Sequence, residues 1–251
     1  EIVLTGVHIG DYGKDRGGES RLPDLLRAII RSAGESRIRL SSLNCEDLTE
    51  ELIDLVAASE RICNHFHVSL QSGSDDVLRR MNRPYTAGLF KEKITMLHER
   101  ISESGLGADV IDGFPGEAEN HFRETLSLVE ELPFTYLHVF PFSKRPGTRA
   151  ADMEKQVHAL VKKQRAAVLR RLGKQKKRAF VRSHIGKTLP MLLEGRNQNG
   201  RMEGFTSSYI RVSVPWNPAL AGRIIPVRLE RQRSEAVEGV ADACPARPDP
   251  A

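Results

Sequence analysis

Short apolar runs rich in β-branched residues alternate with longer amphipathic segments through the first 150 residues of the chain. Five runs have the length and composition of strands, and they cover 1–5, 38–43, 65–70, 108–111 and 136–140. Four segments carry apolar residues three and four positions apart, as helices do, and they cover 22–33, 49–58, 90–101 and 118–132. Thr49 is predicted to cap the second of these helices. The alternation predicts a parallel α/β sheet or barrel, with binding residues at the carboxyl ends of its strands.

The pattern changes after about residue 150. One long helix is predicted over 153–181, with an apolar stripe formed by Val157, Leu160, Val161, Ala167, Val168 and Leu172. Strand-like runs at 188–194, 204–214 and 222–230 are separated by turn-forming residues, which is typical of a small β-barrel. We therefore divide the chain into a core at 1–150, a connecting helix at 151–183, a β module at 184–235 and a disordered tail at 236–251.

The charges are distributed unevenly along the chain, although the net charge is only +5. Every charged side chain between Glu154 and Glu194 is Lys or Arg, so the connecting helix should create a positive potential that attracts polyanions. We favour nucleic acid as its partner over the alternative of a merely solvated helix face. The absence of any apolar run near the roughly 20 residues of a membrane span excludes a membrane-spanning protein. The predicted RNA-binding residues are Lys144, Arg145, Arg170, Arg171, Lys174 and Lys177.

The cysteines and histidines offer no recognisable metal site. Cys45, Cys63 and Cys244 lie far apart, without the short spacings that hold zinc or an iron-sulfur cluster, which indicates a reducing cytoplasmic environment. His65 and His67 share one face of a predicted strand, but the sequence places no third ligand beside them. We therefore predict no metal ligand in this chain. It opens directly on a predicted strand, so we expect it to begin in mid-fold.

Two loops that follow predicted strands are rich in groups that bind small molecules. The loop at 5–13 contains three glycines, which allow the backbone to approach a ligand or simply to turn. In the loop at 67–75, Gln71, Ser72 and Ser74 are able to hydrogen-bond a ribose or a carboxylate. The alternative for Ser74 is to cap the helix that follows it.

Two further loops follow the last strands of the predicted sheet. Asp109 and Asp112 precede a glycine turn and Glu117, and at least one of them needs a partner, because a buried unpaired carboxylate is costly. Lys144 and Arg145 follow the last strand and face either a phosphate or solvent. No Ser-His-Asp or Cys-His arrangement and no P-loop is recognisable. The residues alone thus indicate an RNA-associated α/β enzyme.

These four loops, in this order, resemble the methylthiotransferase family of radical S-adenosylmethionine enzymes. The matching segments are IVLTGVHIGDYG (2–13), HFHVSLQSGSDDVLRRMNRPY (65–85), DVIDGFPGE (109–117) and YLHVFPFSKRPGTRA (136–150). The segment GFTSSYIRV (204–212) is similar to the core of a TRAM domain, a small β-barrel that in this family helps to hold substrate. The resemblance implies an incomplete (βα) radical SAM barrel followed by an all-β TRAM barrel.

The resemblance also implies cofactors. It assigns S-adenosylmethionine to the strand-end loops, with binding residues Thr5, Gly6, Gln71, Ser72, Ser74, Asp109, Gly113 and Glu117. Two 4Fe-4S clusters are expected in the full-length enzyme, and the C-x-x-x-C-x-x-C loop that holds one of them is expected before Glu1. We therefore expect this chain to contain no catalytic residue of its own and to be inactive alone.

The expected substrate is inferred from the basic turn after the last strand. Lys144, Arg145 and Pro146 are similar to the branch that methylthiolates threonylcarbamoyladenosine beside the anticodon of tRNA. An isopentenyladenosine enzyme and a non-catalytic RNA-binding remnant are the alternatives. The implied partners are the tRNA anticodon stem-loop and an electron donor such as flavodoxin or ferredoxin, with a cytoplasmic location and no membrane. The chain departs from the family pattern at Asn44, Ser69, Ala108 and Asp112.

Overall fold

The computed structural model describes residues 1–17, 21–233 and 236–241, and the chain divides into two compact units. The first unit is Glu1–Lys177 and the second is Arg178–Ala251. The division falls inside the long basic helix, so most of the predicted connecting helix belongs to the first unit. No helix among the described residues is both long enough and apolar enough to span a membrane.

The first unit contains short parallel strands in the positions that the alternation predicts. They are β1 (Ile2–Leu4), β2 (Ile38–Leu40), β3 (Ser42–Leu43), β4 (His65–Gln71), β5 (Gly105–Asp112) and β6 (Tyr136–Pro141). β1 pairs with β2, and a second sheet has the order β3-β4-β5-β6, with parallel pairing throughout. The amide of Ser41, between β2 and β3, donates to the carbonyl of Leu4. The predicted α/β fold class is confirmed.

Helices connect and cover these strands. They are α1 (Leu22–Ser32), α2 (Glu50–Ala57), α3 (Asp75–Arg80), α4 (Ala87–Arg100), α5 (Glu119–Glu131), α6 (Arg149–Asp152) and α7 (Ala159–Arg182). Thr49 caps α2 as predicted, since its hydroxyl accepts from the amide of Leu52 at 3.2 Å. Phe66, Val68 and Leu70 of β4 join the helices in one apolar core.

Two details of the predicted connecting helix are wrong. The helix begins at Ala159 and not at 153, and Lys155 has a left-handed backbone with φ of 56° that a continuous helix does not permit. Its buried stripe includes Ala166 and Leu169, whereas Leu160 is 57% exposed. Val168 and Leu172 of the predicted stripe do pack against the core, so the prediction is wrong at Leu160 and omits the buried Ala166 and Leu169.

The second unit is a closed five-stranded barrel within the described residues, which confirms the predicted all-β module. Its strands are β7 (Thr188–Leu193), β8 (Arg201–Thr206), β9 (Arg211–Pro215), β10 (Ile224–Arg233) and β11 (Ala236–Ala241), in the order β10-β11-β9-β8-β7. Met191, Met202, Val212 and Val227 are buried in its centre. The alternation of buried and exposed residues along β8 and β10 places these side chains inside.

Two predictions for this unit are corrected. The single run at 204–214 is two antiparallel strands, because the chain reverses after Thr206, where Tyr209 adopts a left-handed φ of 67°. The tail does not begin at 236, because β11 pairs with β10 and β9 and buries Val237. Gly239 occupies a buried position of this strand without an apolar side chain, which weakens the alternation by which the sequence would reveal the strand. The remainder of the predicted tail, 242–251, lies outside the described residues.

Candidate cofactor and RNA site

A cavity of about 570 Å³ lies where β4, β5 and β6 end, as expected for a parallel sheet. Its size is within the roughly 300–1,000 Å³ of small-molecule sites. Polar and charged side chains share the lining with aromatic and aliphatic ones, and the lining residues are Gln71, Asp109, Ile111, Phe140, Pro141, Phe142, Ser143, Arg145, Thr148 and Ala150. Two of the predicted cofactor-binding residues, Gln71 and Asp109, are therefore brought together in one cavity.

Gln71 reaches this cavity from an irregular end of β4. Its backbone is left-handed, with φ of 62°, and the pairing of β4 with β5 shifts by one residue between Ser69 and Gln71. The hydroxyl of Tyr85 donates to the carbonyl of Ser69 at 2.7 Å beside this bulge. Such backbone strain costs about 1–3 kcal/mol and is concentrated at binding sites. The bulge turns Gln71 toward the cavity, away from the regular alternation of the strand.

Asp109 forms the centre of a polar cluster on the open face of the sheet. Its Oδ1 lies 2.8 Å from Nε2 of His67 and 3.5 Å from Nδ1 of His138. The hydroxyl of Tyr136 lies 3.0 Å from Nδ1 of His67 and 2.8 Å from Nε2 of His65. The prediction that one of the two aspartates has a partner is confirmed for Asp109. The expectation that no third ligand-type side chain adjoins the histidine pair is wrong.

The sequence contained a signal for this cluster, because residues two positions apart on a strand have their side chains on the same face of the sheet. Asp109 and His138 are direct partners in the pairing of β5 with β6, and His67 is on β4 opposite Gly107. Gly107 also pairs with Tyr136, and a Cβ at this position would overlap the tyrosine ring. The glycine therefore allows Tyr136 to lie across β5 and reach both histidines.

Two histidines of this cluster have lowered pKa values. Burial, with the nearby charges of Arg39 and His67, lowers the pKa of His65 to about 3. Burial and His67 also lower the pKa of His138, although Asp109 opposes the shift. Neutral imidazoles have a free lone pair for a hydrogen bond or a cation.

Glu117 and Gly113, both predicted to contact the cofactor, pack against α7. The buried carboxylate of Glu117 accepts from the amide of Gly113 and, at 3.2 Å, from Nη1 of Arg165. Burial raises the pKa of Glu117 despite these partners. A Cβ on Gly113 would overlap the stem of Lys162, whose Nζ donates to the carbonyl of Phe142 at 2.7 Å. Neither residue is among those that line the cavity, so their predicted role stays a prediction.

Ser72 and Ser74 are also buried outside the cavity lining. The hydroxyl of Ser72 lies 3.2 Å from Oγ1 of Thr125, which also accepts from the amide of Gly73. Ser74 precedes α3 but makes no side-chain cap bond, so the capping alternative is wrong. Its hydroxyl is buried without a hydrogen-bond partner among the described residues. Thr5 and Gly6 are exposed after β1, away from the cavity lining.

The glycine loop after β1 folds around His8. Its Nε2 lies 2.7 Å from Asp47 and its Nδ1 lies 2.7 Å from Asp11. Burial opposes the charge of His8, but the hydrogen bonds and charges of both aspartates raise its pKa overall. A Cβ on Gly10 would overlap the carboxylate of Asp47. The contact with Asp47 gives Gly10 a structural role, and the predicted cofactor contacts of Thr5 and Gly6 stay predictions.

The predicted RNA-binding residues occupy exposed positions in the first unit. Lys144 and Arg145 follow β6, and Arg145 also lines the cavity. Along α7, Nη2 of Arg170 donates to the carbonyl of Val139 at 3.0 Å, so one side of that guanidinium is used within the fold. Lys176, which was not predicted, donates to the carbonyls of Glu130 and Leu132. Arg171, Lys174 and Lys177 are among the exposed cations of the same helix.

Comparison with known proteins identifies the family. Residues 1–129 match the family model of the Radical SAM superfamily. The chain is 39% identical over 94% of its length to the threonylcarbamoyladenosine tRNA methylthiotransferase MtaB of Thermotoga maritima, and 37% identical over 91% to that of Bacillus subtilis. It is 38% identical over 95% to the tRNA-2-methylthio-N(6)-dimethylallyladenosine synthase of Symbiobacterium thermophilum.

The aligned regions make up 54%, 52% and 53% of those three proteins, so the chain spans about half the length of the curated relatives it matches. The match covers most of this chain in each case, including the strand-end loops that lead to the cavity. The chain belongs to the radical SAM superfamily, and within it is similar to the tRNA methylthiotransferases, as its four loops predicted.

Proposed function

We propose that this chain is the cofactor- and RNA-binding part of a tRNA methylthiotransferase that acts on threonylcarbamoyladenosine beside the anticodon. The observation that carries the proposal is the 39% identity to the Thermotoga maritima enzyme over 94% of this chain. An alignment of that extent has to include most of both compact units. The basic turn at Lys144 and Arg145, next to the cavity, supports an anionic substrate.

The residues of the cavity fit S-adenosylmethionine. Asp109 supplies a carboxylate for ribose hydroxyls or an ammonium group, and Gln71 supplies an amide that both donates and accepts. Phe140 and Phe142 supply apolar faces for an adenine, and the ring of Phe140 is exposed. When bound, S-adenosylmethionine supplies the adenosyl radical and the methyl group of the proposed reaction. The part played by this chain is to hold and orient that cofactor at the carboxyl ends of β4, β5 and β6.

The described residues do not fit a 4Fe-4S cluster. Cys45 and Cys63 are the two cysteines among the described residues. Both are buried, and they lie far apart in the sequence, whereas the superfamily loop needs three thiolates. We therefore derive no step through a cluster from these residues. The two clusters, an electron donor such as flavodoxin or ferredoxin, and a cytoplasmic location belong to the proposal for the full-length protein.

We propose that the tRNA anticodon stem-loop contacts the exposed cations of the first unit. Arg145 lies at the cavity and is positioned to contact a phosphate of the nucleotide that enters it. Arg171 and Lys174 on α7 supply contacts that do not depend on sequence. Each phosphate contact should contribute about −0.9 to the log-log slope of affinity against salt on a duplex stem.

The proposal is tested by mass spectrometry of tRNA nucleosides from cells that lack the gene. We expect loss of 2-methylthio-threonylcarbamoyladenosine in a strain with no second methylthiotransferase gene. The wild-type gene should restore it and a Gln71→Ala gene should not. Loss of the 2-methylthio-dimethylallyl derivative instead would select the second candidate, which the 38% identity to the Symbiobacterium enzyme favours. If neither derivative changes, the proposal is wrong.

A further inference from the structure

Three side chains of the kind that bind metals converge on the open face of the sheet. They are His67 on β4, Asp109 on β5 and His138 on β6, and their nearest ligand atoms all lie within 4.8 Å of one another. Oδ1 of Asp109 is 2.8 Å from Nε2 of His67 and 3.5 Å from Nδ1 of His138. The three residues come from adjacent paired strands, so the backbone holds their spacing.

This spacing is close to that of a tetrahedral metal site. Zinc takes nitrogen and oxygen ligands at about 2.0–2.2 Å, which places neighbouring ligand atoms about 3.4 Å apart. The distance from Asp109 to His138 already has this value, and the distance from Asp109 to His67 has to lengthen by less than about 1 Å. The three ligand atoms lie within 4.8 Å of one another, so metal binding requires side-chain rotations that bring all three pairs to this separation.

The surroundings of His67 match the outer shell of a metal ligand. A metal-binding histidine usually donates its second ring N–H to an oxygen acceptor, which fixes the tautomer. Nδ1 of His67 lies 3.0 Å from the hydroxyl of Tyr136, which in turn lies 2.8 Å from Nε2 of His65. If Tyr136 donates to His65 and accepts from Nδ1 of His67, the lone pair of Nε2 points toward Asp109. Without a metal, the 2.8 Å distance between these two residues is that of a hydrogen bond in which Nε2 of His67 donates to Oδ1 of Asp109, so a bound ion would replace the proton.

We propose that His67, Asp109 and His138 bind a divalent transition-metal ion, with zinc as the best match. Two imidazoles and one carboxylate favour zinc, iron, cobalt or nickel over magnesium and calcium, which prefer oxygen ligands. The side chain of His138 is 55% exposed, so the fourth position is open to water or another ligand. Asp109 also lines the cavity, so the ion would lie beside the proposed S-adenosylmethionine site. The site uses no thiolate and is therefore distinct from an iron-sulfur cluster.

Metal titration of the chelator-treated, tag-free protein tests this proposal without any activity measurement. Isothermal titration with Zn²⁺ should give one site per chain, and Co²⁺ should give the visible absorption of a four- or five-coordinate ion. Asp109→Asn and His138→Ala should each weaken binding at least about 10-fold. Tyr136→Phe should weaken binding by a smaller factor, because it removes only the partner that orients His67. His98→Ala is the matched control, since His98 is exposed on α4, far along the chain from these ligands.

The result does not depend on folding defects or on the proposed tRNA activity. His138 is more than half exposed, so His138→Ala should keep the circular dichroism spectrum and thermal midpoint of the wild type. Equal metal affinity in wild type, Asp109→Asn and His138→Ala would overturn the proposal. So would the absence of stoichiometric Zn²⁺ or Co²⁺ binding, because the cluster would then be a hydrogen-bonded network alone.

Discussion

Two carboxylates three residues apart on β5 lie in opposite environments. Asp109 faces the open side of the sheet, with its side chain 21% exposed and two histidines around Oδ1. Asp112 faces the helix layer, is 1% exposed, and neither of its carboxylate oxygens has a hydrogen-bond partner among the described residues. Burial and the charge of Glu117 raise the pKa of Asp112 to about 7, against the opposing charges of Arg170, Arg165 and Lys162.

The difference separates a polar residue of the strand that has hydrogen-bond partners in a candidate site from one whose burial lowers the stability of the fold. The strand surrounds Asp109 with side chains that hydrogen-bond it, and Gly107 leaves room for their support by Tyr136. The carboxylate of Asp112 has no hydrogen bond among the described residues, and the positive charges of Arg170, Arg165 and Lys162 only partly offset its burial. We propose that the open face of β5 is the functional face, whereas Asp112 reduces stability on the covered face.

The largest effect is expected from Asp112→Val. Removal of a buried unpaired carboxylate should raise the free energy of unfolding by about 3 kcal/mol at about pH 8, because no desolvation penalty remains. The folded-state pKa is raised from 3.8 to about 7, so the folded state binds more protons than the unfolded state between these values. Wild-type stability should then fall as pH rises through this window, and the variant should lack that slope.

Urea denaturation of both proteins at about pH 5 and pH 8 measures this difference. The exposed carboxylate of Asp152 provides the control, and Asp152→Val should change stability by less than about 0.5 kcal/mol. If Asp112→Val is less stable than the wild type, Asp112 has a compensating partner and the contrast with Asp109 fails.

Gly107→Ala should have the next largest effect, on the open face. The new Cβ overlaps the ring of Tyr136, so the tyrosine has to leave both histidines, and we expect a loss of about 2 kcal/mol. Gly88→Ala on α4 is the control, since its nearest neighbour is 3.8 Å from the added Cβ and alanine favours helix. Differential scanning calorimetry should show opposite shifts in the thermal midpoint. Similar shifts would mean that Tyr136 is not held over β5.

The smallest effect is expected from Tyr136→Phe. This change removes the hydroxyl shared by His65 and His67 but keeps the ring in place, so it should cost about 1 kcal/mol. Tyr12→Phe, at an exposed tyrosine, should be neutral within measurement error. A cost for Tyr136→Phe as large as that for Gly107→Ala would show that the hydrogen bonds, and not the packing of the ring, dominate the open face.

The hydrophobic pattern predicted the helices and strands of both units better than it predicted the contacts among the elements within a unit. It identified the strands and the cap at Thr49, because a repeat of two or of three to four residues is a local property. The family resemblance, and not the hydrophobic pattern, assigned Gln71 and Asp109 to one cofactor site, and both line one cavity. The pattern did not reveal the cluster of His67, Asp109 and His138, because that depends on pairing between strands distant in the sequence.

Contacts from distant parts of the chain also lay outside the reach of the sequence pattern. Glu117 lies in a loop of ligand-binding composition, and Arg165 of α7, 48 positions along the chain, contacts its carboxylate, while its cofactor role stays a prediction. Ser74 is at the right position to cap α3, yet its hydroxyl does not bond the helix amides. Strand β11 was missed because Gly239, where an added Cβ would crowd Val227 and Val212, replaces an apolar side chain in the alternation.

The central claim is that the open face of β5 carries the function and the covered face does not. It is tested most directly by tRNA nucleoside analysis in gene-deletion cells that express Asp109→Asn or Asp112→Val at equal protein levels. We predict that Asp109→Asn leaves 2-methylthio-threonylcarbamoyladenosine absent, while Asp112→Val restores it to the wild-type amount. Restoration by Asp109→Asn together with failure of Asp112→Val would contradict the account.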